Sequence, residues 1–148
     1  VIEHGGDEDQ AIAALLHDGP EDQGGQETLA EIRARFGEKV ADIVADCSDT
    51  FETPKPPWLK RKQQYLKHLE HAPQASLLVS LADKVHNAEA VAEDFRALDK
   101  HVFVRFSAGS EDVRWYYRAL ADFFTRAMPG ALSARLTRAV AVFDSAAA

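Results

Sequence analysis

A short acidic motif follows the first apolar segment of the chain. His17-Asp18-Gly19-Pro20-Glu21-Asp22 places four potential metal ligands or bases within six residues. Imidazole and carboxylate groups are suitable ligands for Mn²⁺, Fe²⁺ or Zn²⁺. Neighbouring residues on a helix point about 100° apart, so His17 and Asp18 can both reach an ion that lies between them at a helix end. Glu21 and Asp22 would then lie near enough to orient or deprotonate a water on that ion.

The same motif has a simpler interpretation as solvated surface. A His-Asp pair arises by chance in many proteins, and a cluster of acids after a helix is often exposed. The run Ala11–Leu16 before the motif is apolar nearly all round, which predicts a central, buried helix leading into it. That context makes the metal site a serious alternative, and both interpretations stay open on these residues alone.

A second motif lies far along the chain, at Leu81–Asn87. Asp83 interrupts a strongly apolar helical pattern, where a carboxylate is costly unless it meets a cation or several donors. A metal ion would resolve that conflict, and so would a buried salt bridge, for example to an Arg of a neighbouring helix. Asn87 follows one turn later on the same face, so it could reach a ligand bound at the ion.

Several cations and aromatic residues are candidates for substrate contacts. A solvated helix face and phosphate binding explain the basic run Lys60-Arg61-Lys62 equally well. For the aromatic residues, stacking on a base competes with packing in the core, which is the commoner role. The cations nearest to the motifs are Lys55, Lys60, Arg61, Lys62 and Lys84, and the aromatic residues are Trp58, Tyr65 and Trp115-Tyr116-Tyr117.

Helical periodicity, caps and breakers predict an all-α fold, and no β-period alternation of useful length is present. Asp7 can cap the first helix. Thr28-Leu29-Ala30-Glu31 matches a capping box and predicts the start of another helix, which Gly37 ends. The predicted helices are about Glu8–Leu16, Thr28–Phe36, Glu38–Cys47, Trp58–His71, Pro73–Leu98, Glu111–Arg126 and Leu132–Phe143.

The composition excludes several classes of protein. A chain of 148 residues suits one domain, predicted to span 1–148. A net charge of −7 argues against a nucleic-acid partner, but it permits a small phosphorylated ligand held by a metal and local cations. The single cysteine, Cys47, rules out an internal disulfide and fits a cytoplasmic location. No apolar run is long enough to span a bilayer, and no signal peptide is visible.

The two motifs together resemble the HD hydrolase domain of RelA/SpoT-type proteins, and most of all the small, single-domain alarmone hydrolases of that group. Four segments carry the resemblance, which is good over about Glu8–Asn87 and weaker beyond it. They are Ala13–Asp18, Glu21-Asp22, Phe36-Gly37 and Leu81–Asn87.

The resemblance implies an all-α HD-domain bundle with a divalent metal, usually Mn²⁺, and a nucleotide substrate. His17, Asp18 and Asp83 match the family's metal ligands. Glu21 and Asp22 match its catalytic acidic pair. Asn87 matches a residue that contacts the sugar of the substrate, and the proposed phosphate contacts are Lys55, Arg61, Lys62 and Lys84. The implied reaction removes the 3′-pyrophosphate from (p)ppGpp-like alarmones in one hydrolytic step.

This sequence departs from the family's pattern in three ways. The family has another metal-ligand His on a preceding helix, further back than this chain reaches. Its base-binding basic residues lie in the same stretch. We therefore expect that the chain begins inside the natural domain and lacks one or more N-terminal helices. Glu89 and Ala90 stand where larger relatives carry Arg and Thr, which leaves the preferred base open.

Three alternatives to the alarmone hydrolase remain. The first is an HD phosphohydrolase that acts on another nucleotide, a mono- or triphosphate. The second is a non-catalytic module that binds a nucleotide or a partner protein. The third is a helical bundle without a ligand. The sequence does not set the oligomeric state.

Overall fold

Helices make up nearly all of the regular structure in residues 1–144, the part of the chain that the computed structural model describes. No strand occurs in this range. The eight α-helices are α1 (Glu8–Leu16), α2 (Gly19–Asp22), α3 (Gly25–Phe36), α4 (Glu38–Cys47), α5 (Trp58–Leu69), α6 (Gln74–Leu98), α7 (Ser110–Ala127) and α8 (Ala131–Asp144). Two 3₁₀ segments, Ile2–His4 and Asp99–Arg105, complete the set. The prediction of an all-α fold is confirmed.

Most predicted helix boundaries are confirmed to within two or three residues. The capping box predicted at Thr28 is wrong, because α3 begins three residues earlier. Gly24 and Gly25 take φ values of 88° and 54°, which forms a left-handed turn directly before the helix. Thr28 therefore lies inside α3, and its hydroxyl donates to the carbonyl of Gln23. A true capping box is present at α1, where Asp7 and Gln10 exchange hydrogen bonds.

The described chain divides into two compact units, Val1–Ser80 and a second that begins at Leu81. Helix α6 runs through the boundary and contributes to both. The assignment of residues 1–148 to a single domain stays a prediction.

The first unit is built around α4, which packs against α1 and α3. Most of its apolar residues recur at helical spacing and are buried. They meet residues of α1, α3 and the first part of α6 in one core: Ala13, Leu29, Ile32, Val40, Ala41, Ile43, Val44, Cys47 and Val79.

Helix α1 is less buried than its apolar run predicted. Ala13 is fully buried, but Leu15 is 87% exposed. A nine-residue helix that packs on one side against α4 buries one stripe only, and residues two positions apart point about 200° away from each other. The expectation of burial all round is therefore wrong for Leu15.

The second unit is held by packing of α7 against α8 and against the 3₁₀ segment. Phe143 is fully buried, with its ring edge-on to Tyr117 at 5.3 Å and to Phe103 at 6.3 Å between centroids. The buried Arg114 donates to the Phe143 carbonyl at 3.1 Å. Tyr116 and Tyr117 are both buried, so packing, not base stacking, is their role in this structure.

Within residues 1–144, no helix is both long enough and apolar enough to cross a bilayer.

Candidate active site

His17 immediately follows α1 and is held by the helix that precedes it. Its Nδ1 lies 2.7 Å from the carbonyl oxygen of Ala14, and because a carbonyl only accepts, Nδ1 carries the proton. The Nε2 atom faces Asp18, with 3.1 Å to Oδ1. The His17 side chain is 17% exposed and that of Asp18 is 69% exposed, so the pair opens towards solvent on one side.

This arrangement fits a divalent metal in its donor chemistry. Metal-binding histidines commonly donate the second ring N–H to a backbone carbonyl, which fixes the tautomer and aims the other nitrogen at the ion. His17 has that orientation, and an acidic oxygen lies beside the aimed nitrogen. Within residues 1–144, no group of three His, Cys, Asp or Glu side chains stands close enough together to hold an ion. The full set of His17, Asp18 and Asp83 therefore remains a prediction.

Glu21 lies on α2, the short helix that starts directly after Asp18. Pro20 is buried near the start of α2, where its missing N–H costs no hydrogen bond. The backbone N–H of Asp49 donates to Glu21 Oε1 at 2.9 Å. Asp22 is exposed. The two acids of the motif thus have different surroundings, one held and half-buried, the other in solvent.

Asp49 is a residue that the sequence analysis did not select. Its side chain is 8% exposed, and Oδ2 accepts from Arg61 Nη1 at 2.9 Å and from Lys62 Nζ at 2.8 Å. Arg61 and Lys62 are 15% and 17% exposed, whereas Lys60 points into solvent. The solvated-face interpretation of the basic run therefore holds for Lys60 and is wrong for the next two residues.

The Glu21 and Asp49 carboxyl groups titrate as a pair. Burial raises the pKa of Glu21 to about 7, and the nearby Asp49 carboxylate adds to that rise. Burial alone would also raise the pKa of Asp49. The hydrogen bond with Glu21 and the charges of Lys62 and Arg61 outweigh it and hold the pKa of Asp49 below its usual range. Between these pKa values, Asp49 is ionised and Glu21 carries the proton.

Asp83 has partners on its own helix. Lys84 Nζ donates to Oδ2 at 2.9 Å, and Asn87 Nδ2 donates to Oδ1 at 3.2 Å. The side chains of Asp83 and Lys84 are 15% and 13% exposed. The prediction that Asn87 shares a face with Asp83 is confirmed, and the adjacent Lys84 provides a cation beside this acid.

Glu89 is engaged by α8 within the second unit. Arg135 donates two parallel hydrogen bonds to the Glu89 carboxylate, from Nε to Oε1 and from Nη2 to Oε2, both 2.9 Å long. The hydrogen bond with Arg135 lowers the pKa of Glu89. Glu89 thus has a structural partner at one of the positions where the sequence departs from the larger relatives.

An open cavity of about 630 Å³ lies next to Glu21 in the first unit. Lys55 is the only cationic residue among the described residues that line it, and it is exposed. The walls are α2, the start of α3 and the segment before α5: Pro20, Glu21, Gly24, Gly25, Gln26, Glu27, Thr50, Phe51, Glu52, Thr53 and Lys55.

Comparisons with known proteins assign the family. Guanosine-3′,5′-bis(diphosphate) 3′-pyrophosphohydrolase MESH1 of Xenopus tropicalis is 40% identical over 90 residues, which cover 59% of this chain and 48% of that protein. The chain therefore spans about half the length of that curated relative. The crystal structure of lmo0812 from Listeria monocytogenes EGD-e is similar with a TM-score of 0.80 and 26% identity, over 95% of this chain and 91% of that one. A model of the HD domain family matches residues 1–113, and the chain belongs to that family.

Proposed function

We propose that the chain is a metal-dependent phosphohydrolase that removes the 3′-pyrophosphate from (p)ppGpp-like alarmone nucleotides. One observation carries the proposal: Glu21, three residues after the His17-Asp18 pair, is held by a backbone N–H with its pKa raised to about 7. A carboxyl with that pKa is suited to exchange protons at neutral pH. The likeness to the alarmone hydrolase of Xenopus tropicalis supports the choice of substrate.

The residues proposed to hold the metal are His17, Asp18 and Asp83. When bound, a divalent cation offsets phosphate charge and lowers the pKa of nearby water. Mn²⁺ is the proposed ion, because an imidazole with two carboxylates is a mixed nitrogen and oxygen donor set that suits it. The fixed tautomer of His17 presents Nε2 and keeps Nδ1–H on the Ala14 carbonyl.

Glu21 is the proposed general base. In its ionised form it accepts the proton of the attacking water at the carboxylate, and the Asp49 N–H keeps Oε1 in place while it does so. The second acid, Asp22, is exposed and is proposed to orient that water. The charge that develops on the phosphate needs cations, which the remaining proposed contacts supply.

Lys84 and Asn87 are proposed substrate contacts next to Asp83, to phosphate and sugar respectively. Lys55 is a proposed contact at the rim of the cavity beside Glu21. Arg61 and Lys62 are proposed to act on phosphate with part of their charge already offset by Asp49. When Glu21 is ionised, the negative charges of Glu21 and Asp49 cancel the positive charges of Arg61 and Lys62. Long-range attraction of phosphate therefore depends on the metal.

A panel of nucleotides tests the proposal. The purified chain is loaded with Mn²⁺, Mg²⁺ or Zn²⁺ and given ppGpp, nucleoside monophosphates and nucleoside triphosphates, and product masses are recorded. We expect pyrophosphate and a 5′-diphosphate from ppGpp, fastest with Mn²⁺. Release of orthophosphate from a monophosphate would mean that the substrate is another nucleotide and not an alarmone.

We also propose a cytoplasmic location, which fractionation of the source cells tests.

A second candidate is a nucleotide-binding HD module without turnover. It is favoured by the lack of a three-donor cluster within residues 1–144. Calorimetric titration with ppGpp distinguishes the two, because a module binds the nucleotide and leaves its mass unchanged, whereas the enzyme converts it in the presence of Mn²⁺.

A further inference from the structure

We propose that Asp49 is a positioning residue that holds Glu21 in its working orientation and links it to Arg61 and Lys62. The inference rests on the proposed function of Glu21 as a general base. It concerns a residue that lies in neither of the two chemical motifs. The structure points to it because Asp49, in the segment after α4, connects two further segments that are separate in sequence. Its backbone N–H donates to Glu21 of α2, and its buried carboxylate accepts from Arg61 and Lys62 of α5.

The end of α4 explains why Asp49 can reach Glu21. Ser48 leaves the helix in an extended conformation, with φ −85° and ψ 134°. Its N–H bonds to the Ala45 carbonyl and its hydroxyl to the Val44 carbonyl, so the exit from the helix is fixed on both sides. The next N–H, that of Asp49, is therefore free of the helix and donates to Glu21 Oε1 at 2.9 Å.

Two cations fix the Asp49 side chain in turn. A carboxylate that is 8% exposed is costly unless charged donors meet it, and both Arg61 and Lys62 donate to the same oxygen, Oδ2. Arg61 also donates through Nε to the Pro56 carbonyl at 3.0 Å, which ties the segment before α5 to the cluster. Movement of Asp49 would break several bonds at once, so the N–H that holds Glu21 is rigidly placed.

The second oxygen of Asp49 shows how the side chain also acts on Glu21. Oδ1 is buried, and neither Arg61 nor Lys62 donates to it. The Glu21 side chain lies within hydrogen-bonding range of Asp49. A proton on Glu21 would satisfy this oxygen, and loss of that proton brings two carboxylates together. The charged groups that face Glu21 are Asp49 from the segment after α4 and Lys62 from α5, with Arg61 acting through Asp49.

Asp49→Asn tests the inference, since it removes the charge and keeps the shape and the backbone N–H. Arg61 and Lys62 lose their anchor, so Glu21 becomes less well placed. We expect kcat to fall by about ten-fold to a hundred-fold with bound metal unchanged. Without the neighbouring carboxylate the pKa of Glu21 falls, and the acid limb of the kcat profile moves to lower pH by about one unit.

The decisive readout is a double-mutant cycle with Glu21→Gln. If Asp49 acts through Glu21, adding Asp49→Asn to Glu21→Gln lowers kcat no further. Asp46→Asn is the matched control, because Asp46, in the last turn of α4, is also an acid that joins other segments. It accepts from Ser76 Oγ at 2.6 Å and pairs with His68 Nε2 at 2.9 Å. Its effect should be additive with Glu21→Gln and should leave the acid limb in place.

Two failures are distinguishable. If Glu21→Gln keeps full turnover, the proposed general base is wrong and the inference falls with it. If Glu21→Gln lowers kcat as expected but Asp49→Asn keeps the parent kcat and acid limb, or loses kcat additively in the cycle, the inference alone is overturned. Titration of the Glu21 carboxyl carbon by NMR gives a readout without turnover: its midpoint should drop in Asp49→Asn and stay in Asp46→Asn.

Discussion

Two acidic side chains of this chain, Asp83 and Asp49, are nearly buried, and the structure stabilises them in different ways. Asp83 takes its donors from its own helix, Lys84 beside it and Asn87 one turn later. Asp49 takes its donors from α5, more than ten residues away in sequence, and gives its own N–H to α2. These two contacts of Asp83 form within one helix, whereas those of Asp49 require three segments to fold together.

The difference bears on the proposed roles of Asp83 itself and of Glu21, the acid that Asp49 holds. A carboxylate with local donors keeps its geometry wherever the helix goes, which suits a ligand that must present its oxygens to an ion. A carboxyl held by distant segments can have its pKa set by the fold, which suits a proton acceptor. The comparison is consistent with the proposed roles of Asp83 as a metal ligand and of Glu21 as the proton acceptor, and each role can be tested separately.

Asp83→Ala should have the largest effect. It removes the predicted third ligand and takes away the carboxylate that pairs with Lys84. We expect metal-dependent hydrolysis to be abolished and the fold to loosen. Elemental analysis of the purified variant, together with its turnover, is the measurement. Asp83→Asn is the control for folding, and an Asn variant that keeps both its metal and its turnover would exclude Asp83 as a ligand.

Glu21→Gln should come next, with kcat lowered by about 10²–10⁴-fold. Gln keeps the size of the side chain and an oxygen for the Asp49 N–H, but it does not accept the proton. Bound metal should equal that of the parent protein, which separates this variant from Asp83→Ala. Full turnover would remove Glu21 from the chemistry.

The same Glu21→Gln variant should be more stable than the parent protein above neutral pH. The folded-state pKa of Glu21 is raised, so the folded chain binds more protons than the unfolded one between the ordinary value of 4.5 and about 7. Stability from this group is present at low pH and is lost as pH rises through about 7. We expect a gain of about 1–2 kcal/mol at pH 8 after allowing for solvent screening, and little at pH 4. Urea unfolding at the two pH values measures it, and equal gains at both would contradict the raised pKa.

The contrast between the two acids also marks the limit of the sequence analysis. Asp83 and Asn87 were predicted to share a helix face because helical spacing is local. Asp49 is not identified by such spacing, because its partners are defined only when α2, α4 and α5 pack. The N-terminal turn of α3 was misplaced for a related reason: the positive φ values of Gly24 and Gly25 outweigh the capping pattern at Thr28. A contact between one acid and two cations far along the chain leaves no periodic pattern in the sequence, so it cannot be predicted from spacing.

The smallest predicted effect concerns the Arg135–Glu89 pair, which has the same chemistry as Arg61–Asp49 and differs in exposure. Both side chains of the former are 42% exposed, against 15% and 8% for the latter. Arg135→Gln should lower the free energy of unfolding by less than about 1 kcal/mol at pH 7, because water and the nearby Arg138 replace much of the lost interaction. Arg61→Gln should cost more, since it removes one of the two cations that offset a buried carboxylate. Urea unfolding of both variants measures the difference. Equal costs would mean that exposure does not separate the two regions.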